Sequence, residues 1–191
     1  AESHALIKKC KSYPISIDEG EEKKLLNELS FSLTDSQTKA LSDIKKSFLA
    51  NTQSMRLIQG DVGSGKTILV IIACLYVVRA GAQVAIMAPT EVLCEQHFKS
   101  FSATLKHFDI VIDTLKSKHS VEKKKKILFE TAKGHIQILI GTHALIQKNV
   151  QFFKLGLIII DEQHKFGVRQ RTLLTSKNKS NNPQPHQIFL S

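Results

Sequence analysis

The sequence predicts an α/β fold, a mostly parallel sheet with helices on both faces, and three observations lead to it. Two apolar runs, 136–140 and 155–160, are nearly continuous rather than alternating. Such runs are typical of parallel strands that helices cover on both faces. From residue 55 onward, segments of strand length alternate with segments of helical periodicity. A length of 191 residues with 42% hydrophobic content also suits one domain with a full core.

The elements follow in chain order. Leu25, Leu26 and Leu29 stand at helical spacing and predict a short amphipathic helix. Thr34 begins a second helix, with Leu41 in its apolar stripe. The predicted strands cover residues 55–59, 83–87, 109–112, 136–140, 155–160 and 187–190. The predicted helices between them cover residues 65–79, 91–105 and 120–133.

Composition excludes several classes of protein. The longest apolar run, 68–78, is too short to cross a bilayer, which takes about 20 residues, so we expect no membrane partner. No spacing typical of a zinc site is present. The three cysteines are odd in number and lack C-x-x-C spacing, which predicts buried or free thiols in a reducing compartment and hence a cytoplasmic protein. The net charge of +10 suits a polyanionic partner, although charge alone fits a merely basic protein equally well.

Residues 60–67 read GDVGSGKT, a complete G-x-x-x-x-G-K-[ST] pattern between a predicted strand and a predicted helix. Glycines let several backbone N–H groups face one phosphate, and the start of the helix adds its positive dipole. Lys66 supplies a charge for the β- and γ-phosphates of ATP, and Thr67 offers a hydroxyl to Mg²⁺. A glycine-rich turn that arose by chance is the alternative, and the flanking elements disfavour it. The predicted nucleotide-binding residues here are Asp61, Val62, Gly63, Ser64, Gly65, Lys66 and Thr67.

A carboxylate pair, Asp161 and Glu162, directly follows the apolar run 155–160. In open α/β sheets, ligands bind at the carboxyl ends of the strands. We therefore expect Asp161 to hold Mg²⁺ through water and Glu162 to orient or deprotonate the attacking water. Capping of a helix would explain Asp161 alone, but it does not explain the coexistence with the phosphate-binding loop. His164 nearby would ordinarily be a surface residue.

Four blocks, GDVGSGKT, APTEVLCEQH, GTHALI and LGLIIIDEQHKFGV, stand in the order and spacing of superfamily 2 helicases. The chain resembles the RecG-type members of that superfamily most closely. Transcription-repair coupling translocases are the nearest alternative, but they carry a different residue before GKT and DEEQ in place of DEQH. The resemblance covers residues 31–191. It implies a RecA-like motor domain, ATP-dependent translocation on DNA, and unwinding of forks and junctions in recombination and repair.

The resemblance also implies roles around the nucleotide. Lys66 and Glu162 would be the catalytic residues, and Gln163 and His164 would couple the nucleotide state to DNA. An upstream group would recognise adenine, consisting of Phe31, Thr34 and Gln37. Thr-x-x-Gln is also the pattern of a capping box that simply starts a helix, and this alternative stays open.

Two further segments are implied to contact the DNA backbone: Pro89 and Thr90, and Gly141, Thr142 and His143. Ordinary helix starts would explain these residues equally well by spacing alone. A third family segment, usually a T-G-S-like turn, is replaced here by residues 116–118, Lys-Ser-Lys. Its lysines offer phosphate contacts instead. The four-lysine run 123–126 favours a solvated helix face over a DNA contact.

The resemblance finally predicts a domain organisation. Residues 1–30 would be a linker or helical lead-in, and residues 31–191 the first RecA-like domain, ending before the S/T-A-T motif. A second RecA-like domain with an arginine finger and an N-terminal wedge domain would belong to the parent protein. We therefore expect the 191 residues alone to bind nucleotide weakly, hydrolyse slowly and not unwind. The alternatives are a non-catalytic nucleic-acid-binding fragment of a split gene and a nucleotide hydrolase that acts on something other than DNA.

Overall fold

A computed structural model describes residues 10–60, 65–178 and 182–191. The six strands in these ranges are β1 (Met55–Ile58), β2 (Gln83–Met87), β3 (Ile112–Leu115), β4 (Ile138–Gly141), β5 (Leu155–Ile160) and β6 (His186–Leu190). They pair in the order β1-β6-β5-β2-β4-β3, and every pair is parallel. The predicted parallel α/β sheet is therefore confirmed.

Helices cover both faces of this sheet. The α-helices are α1 (Glu19–Glu28), α2 (Asp35–Leu49), α3 (Lys66–Arg79), α4 (Glu91–Thr104), α5 (Val121–Lys133) and α6 (Val168–Thr175). Two 3₁₀ turns lie at His143–Ile146 and Gln163–Lys165. Helices α1 to α4 pack into the core on one face, whereas α5, α6 and the first 3₁₀ turn pack on the other. The connections from β1 to β3 run one way across the sheet and use the first face, whereas those from β3 to β6 run back and use the second. Right-handed crossovers require this arrangement.

The long apolar run belongs to α3, in which the eleven residues 68–78 are all buried. A helix that is apolar around its whole circumference is one that lies inside the core. Among the residues that the structure describes, no helix is long and apolar enough to cross a membrane.

The strand predicted at 109–112 is wrong, because β3 begins only at Ile112. Asp109 has a positive φ of 50°, which interrupts extended backbone. Pairing with β4 then sets the start, since Ile112 lies opposite Ile138. Asp113 and Thr114 occupy the middle of the strand, and because they are polar the segment lacks the apolar run by which the other strands were predicted.

Other predicted elements agree closely with the structure. The strands at 83–87 and 155–160 coincide with β2 and β5, and the helix predicted at 120–133 is α5, with Ser120 as its N-cap. Helix α6 and both 3₁₀ turns were not predicted. The three cysteines are free, with Cys74 and Cys94 buried.

Residues 10–29 pack firmly on the rest of the chain. The amide of Ile15 donates a hydrogen bond to the carbonyl of Phe48 at 2.8 Å, and Leu25 of α1 is fully buried in the core. The buried Tyr76 hydroxyl of α3 donates to the Glu22 carboxylate at 2.6 Å. Helix α1 is therefore held by apolar burial as well as by a buried polar contact.

Because Leu25 is fully buried and Leu49 is 60% exposed, the two leucines offer a matched test of this packing. We expect Leu25→Ala to lower the free energy of unfolding by about 2–5 kcal/mol, the usual cost of a cavity at a buried leucine. Leu49→Ala should change it by less than about 0.5 kcal/mol. Urea denaturation measures both, and equal effects would show that α1 contributes nothing to the core.

Candidate nucleotide-binding site

The ends of neighbouring strands meet at one edge of the sheet and are joined by backbone hydrogen bonds. Each bond connects a residue one or two positions past the end of one strand to the end of the adjacent strand: Gly60 N to Ser191 O at 3.4 Å, Asp161 N to Met87 O at 2.9 Å, and Ala88 N to Gly141 O at 3.0 Å. The four segments singled out in the sequence, beginning at residues 60, 88, 141 and 161, therefore share this edge. Parallel pairing alone explains their convergence.

Lys66 reaches back over the strand ends. Its Nζ donates hydrogen bonds to the carbonyl oxygens of Gly60 and Ser191, the latter at 2.9 Å. Gly65, the N-cap of α3, has a positive φ of 78°, a conformation that glycine adopts without strain. The remaining predicted loop residues, Asp61, Val62, Gly63 and Ser64, lie outside the described residues. The described part places an ammonium group at the helix start, as a phosphate site needs.

Gln37 takes part in a capping box. Thr34 Oγ1 accepts a hydrogen bond from the Gln37 amide at 3.3 Å, and Gln37 Oε1 accepts one from the Thr34 amide at 2.9 Å. The Gln37 side chain also lies against Gly65, where an added Cβ would come within 2.0 Å of Nε2. The capping alternative is thus present in the structure. The adenine-recognition role of Thr34 and Gln37, and of Phe31 with its 52% exposed ring, stays a prediction.

Asp161 lies directly after β5, mostly buried, and both of its carboxylate oxygens accept hydrogen bonds. Oδ1 accepts from the Glu162 amide at 2.9 Å, and Oδ2 lies 2.7 Å from Nε2 of His97 on α4. Burial alone would raise the pKa of Asp161, but these contacts and the nearby charge of Lys66 outweigh burial. The pKa of Asp161 therefore lies below its usual value, and the group is an ionised carboxylate at neutral pH.

The residues after Asp161 turn sharply. Glu162 has a positive φ of 50°, uncommon for a residue with a Cβ, and its carboxylate lies 3.2 Å from Nε2 of His164. Gln163 Oε1 accepts a hydrogen bond of 3.4 Å from Arg171 of α6. Strained backbone of this kind is concentrated at functional sites. The turn holds the Glu162 side chain half-exposed at the sheet edge, where it can reach a ligand.

The donor set fits a magnesium–nucleotide complex. Thr67 is exposed at the second position of α3, and its hydroxyl and the Asp161 carboxylate are the oxygen ligands that Mg²⁺ prefers. In ranges 10–60, 65–178 and 182–191, no group of three or more histidine, cysteine or acidic residues could hold a metal ion by itself. Mg²⁺ characteristically takes one or two carboxylates and completes its shell with water and phosphate.

The two segments predicted to contact DNA adjoin each other beside this site. Thr90 is the N-cap of α4, and its hydroxyl accepts a hydrogen bond from the Leu93 amide at 3.2 Å. Pro89 precedes it at the end of β2. Thr142 precedes the first 3₁₀ turn, and its side chain makes no capping bond there. The His143 ring packs 5.2 Å from the ring of Phe166, which follows the second 3₁₀ turn.

The Lys-Ser-Lys turn at 116–118 is fastened to α4. Lys116 pairs with Glu95, and the hydroxyl and amide of Ser117 both donate to Glu91, at 2.5 and 2.9 Å. The Ser117 contacts lower the pKa of Glu91, and the Lys116 ammonium lowers the pKa of Glu95. Lys116 is therefore engaged by a carboxylate of its own chain.

His97 is the site residue that the sequence reasoning missed. It stands inside the APTEVLCEQH block, but no role was assigned to it. The sequence offers one indication of its position. His97 follows Thr90 by seven residues, so it lies two turns further along the same helix. The hydrogen bond between His97 and Asp161 shows that this helix passes close to the residue that follows β5.

Known proteins are similar to this chain in sequence and in fold. The sequence profile of the DEAD/DEAH box helicases matches residues 34–191. "ATP-dependent DNA helicase RecG" of Aquifex aeolicus is 45% identical over 185 residues, which are 97% of this chain and 23% of that protein. The protein of the same name from Pasteurella multocida is 39% identical over 180 residues, 94% of this chain and 26% of that protein. The chain thus spans about a quarter of the length of these relatives.

One solved structure, described as "Structure of RecG bound to three-way DNA junction", superposes with a TM-score of 0.83 and 34% sequence identity. The match covers 95% of this chain and 24% of that one. The similarity therefore extends over nearly the whole fold described above.

Gly65 and Gly81 allow a matched test of the phosphate-binding loop, since both have a φ of 78° and only Gly65 has a close neighbour. We expect Gly81→Ala to cost about 1–2 kcal/mol of unfolding free energy from its backbone conformation. Gly65→Ala should cost more, because its Cβ would also collide with Gln37. Since Gln37→Ala alone removes a capping bond, it is the reference for the double variant, in which Gly65→Ala should cost only as much as Gly81→Ala. Urea denaturation of the four variants measures this, and equal costs for both glycines would contradict the observed approach of Gln37.

Proposed function

Because this chain belongs to the DEAD/DEAH box helicase family, we propose that it is the first RecA-like motor domain of a RecG-type ATP-dependent DNA helicase. The parent protein would remodel forks and branched junctions in recombination and repair. One observation carries the proposal: the Lys66 ammonium donates to the carbonyls of Gly60 and Ser191 at the strand ends, the same edge of the sheet at which Asp161 follows β5. A cation suited to phosphate and a carboxylate suited to Mg²⁺ thus lie at one edge.

Each residue at this edge has a proposed task. Lys66 exchanges its two carbonyl partners for the β- and γ-phosphates of ATP. Thr67 and Asp161 hold Mg²⁺, which when bound neutralises charge that develops on the phosphates. Glu162 accepts a hydrogen bond from the attacking water and takes its proton. Gln163 and His164 couple the state of this site to DNA.

DNA is the proposed partner at the adjoining segments. Thr90, Thr142 and His143 offer hydroxyl and ring donors beside the backbone amides at the start of α4 and of the first 3₁₀ turn. Such donors suit phosphate oxygens and carry no sequence information. The net charge of +10 favours the same partner. A structure of a similar protein described as bound to a three-way junction points to branched DNA.

The remainder of the parent protein is also part of the proposal. The matched relatives are about four times as long as this chain, which leaves room for a second RecA-like domain and a wedge domain. Three free thiols and a DNA partner suit the cytoplasm. By themselves the 191 residues should bind nucleotide but not unwind DNA, because the family places the arginine finger on the second motor domain.

Removal of the Lys66 ammonium tests the phosphate site. We expect Lys66→Ala to weaken binding of a fluorescent ADP at least about 100-fold, since several charge-assisted hydrogen bonds are lost. Lys125→Ala, which removes the same charge from the exposed face of α5, should leave the affinity unchanged.

In the parent protein, Glu162→Gln should retain ATP binding and lose hydrolysis. Normal turnover by Glu162→Gln would show that this carboxylate does not act on the water.

Titration with a three-way DNA junction at several salt concentrations tests the partner. We expect affinity to fall steeply between 50 and 200 mM salt, as binding to phosphates requires. Thr142→Ala should weaken DNA binding by about 2- to 10-fold, which corresponds to the loss of one hydrogen bond. The Thr142 side chain makes no capping bond to the 3₁₀ turn, so its removal should not disturb the start of that turn. Lys125→Gln should have little effect if the lysine run is a solvated face. Affinity independent of salt would favour a hydrolase that acts on something other than DNA.

A further inference from the structure

His97 and Asp161 form a close and mostly buried contact between two distant parts of the chain. Nε2 of His97 lies 2.7 Å from Oδ2 of Asp161, and their side chains are only 14% and 17% exposed. We propose that His97 is a positioning residue, whose N–H fixes the carboxylate of Asp161 in the orientation that holds Mg²⁺. The proposal rests on the function proposed above and assigns a new residue to its metal site.

The two hydrogen bonds to Asp161 come from different elements. Oδ1 accepts from the amide of Glu162, the next residue, whereas Oδ2 accepts from a side chain of α4. Rotation of a carboxylate about its last bond exchanges its two oxygens, and a single hydrogen-bond donor can be satisfied by either oxygen. A second donor on the other oxygen leaves one orientation, with the remaining lone pairs available to water or metal. Hydrogen bonds to ligating carboxylates tune metal sites in this way.

His97 is itself held in place, as a positioning residue must be. Its ring packs edge-on against Phe101, with ring centres 6.3 Å apart and planes at 82°. On α4, Glu91 binds Ser117 and Glu95 binds Lys116, so the helix is fastened to the turn after β3. Rigid support of this kind is what lets a side chain hold another group in one geometry.

The position of His97 along α4 also links its contact with Asp161 to the start of that helix. Thr90 caps the start of the helix, and His97 follows two turns later, about 10 Å along the axis. The segment proposed to contact DNA and the residue that positions the metal-binding carboxylate are therefore parts of one helix. A shift of α4 would reach Asp161 directly through His97.

Two amide variants of His97 separate the effect of its hydrogen bond to Asp161 from the effect of replacing its ring. In His97→Gln the side-chain amide reaches the place of Nε2 and can donate to Asp161, whereas in His97→Asn the amide is too short. We expect His97→Asn to weaken Mn²⁺ binding to the chain–ADP complex about 10- to 100-fold, measured by electron paramagnetic resonance. His97→Gln should stay close to the unsubstituted chain. ADP affinity in EDTA should be the same in all three, because phosphate binding by Lys66 needs no metal-binding carboxylate.

His135→Asn provides the matched control. His135 pairs through Nδ1 with Glu130 at 2.7 Å on the exposed surface away from the site, so this substitution should leave Mn²⁺ affinity unchanged. Equal Mn²⁺ affinities for the Asn and Gln variants, whether normal or reduced, would overturn the positioning role. Failure of the unsubstituted chain to bind ADP at all would instead overturn the proposed function and this inference with it.

Discussion

The pairing of β5 with β2 on one side and β6 on the other determines where the proposed residues at the ends of the strands lie. All six residues of β5 are buried, so this strand cannot lie at an edge or turn one face to water. Its backbone also lies against the turn after α3, where an added Cβ at Gly156 would come within 2.7 Å of the Ala82 Cβ. A parallel strand buried in this way requires helical crossovers on both faces. Those crossovers bring the loops that follow the strands to a single edge.

At that edge, opposite charges come together because parallel strands end there, with only β6 between β1 and β5. Lys66 begins the helix after β1, and Asp161 follows β5, so the proposed phosphate-binding cation and a carboxylate lie at one edge although 95 residues separate them in sequence. His97 adds a link that strand pairing alone does not supply, because it comes from the middle of α4. The site is therefore composed of residues after the strand ends, the first turn of α3 and one side chain from the middle of α4. Its geometry depends on how α4 packs as well as on the sheet.

The parts that the sequence predicted are those with local signals. Continuous apolar runs marked β2 and β5, and the residues directly after a strand had to lie at its end, which placed Asp161 correctly. Strand β3 was misplaced because its register depends on pairing with β4, and Asp113 makes its own sequence look unlike a strand. The His97 contact could not be predicted, since it depends on the packing of a helix against a strand 64 residues away. Polar contacts between distant elements need the fold before they can be identified.

The most direct test of one shared site is nuclear magnetic resonance of the ¹⁵N-labelled chain with Mn²⁺–ADP, because a paramagnetic ion broadens only the amide signals near it. If the described edge is a single magnesium–nucleotide site, the signals of Gly65 to Thr67 and those of Asp161 and Glu162 broaden together. The signal of Lys125 on α5 should stay sharp. Broadening confined to one of the two segments, or found only elsewhere in the fold, would contradict the account.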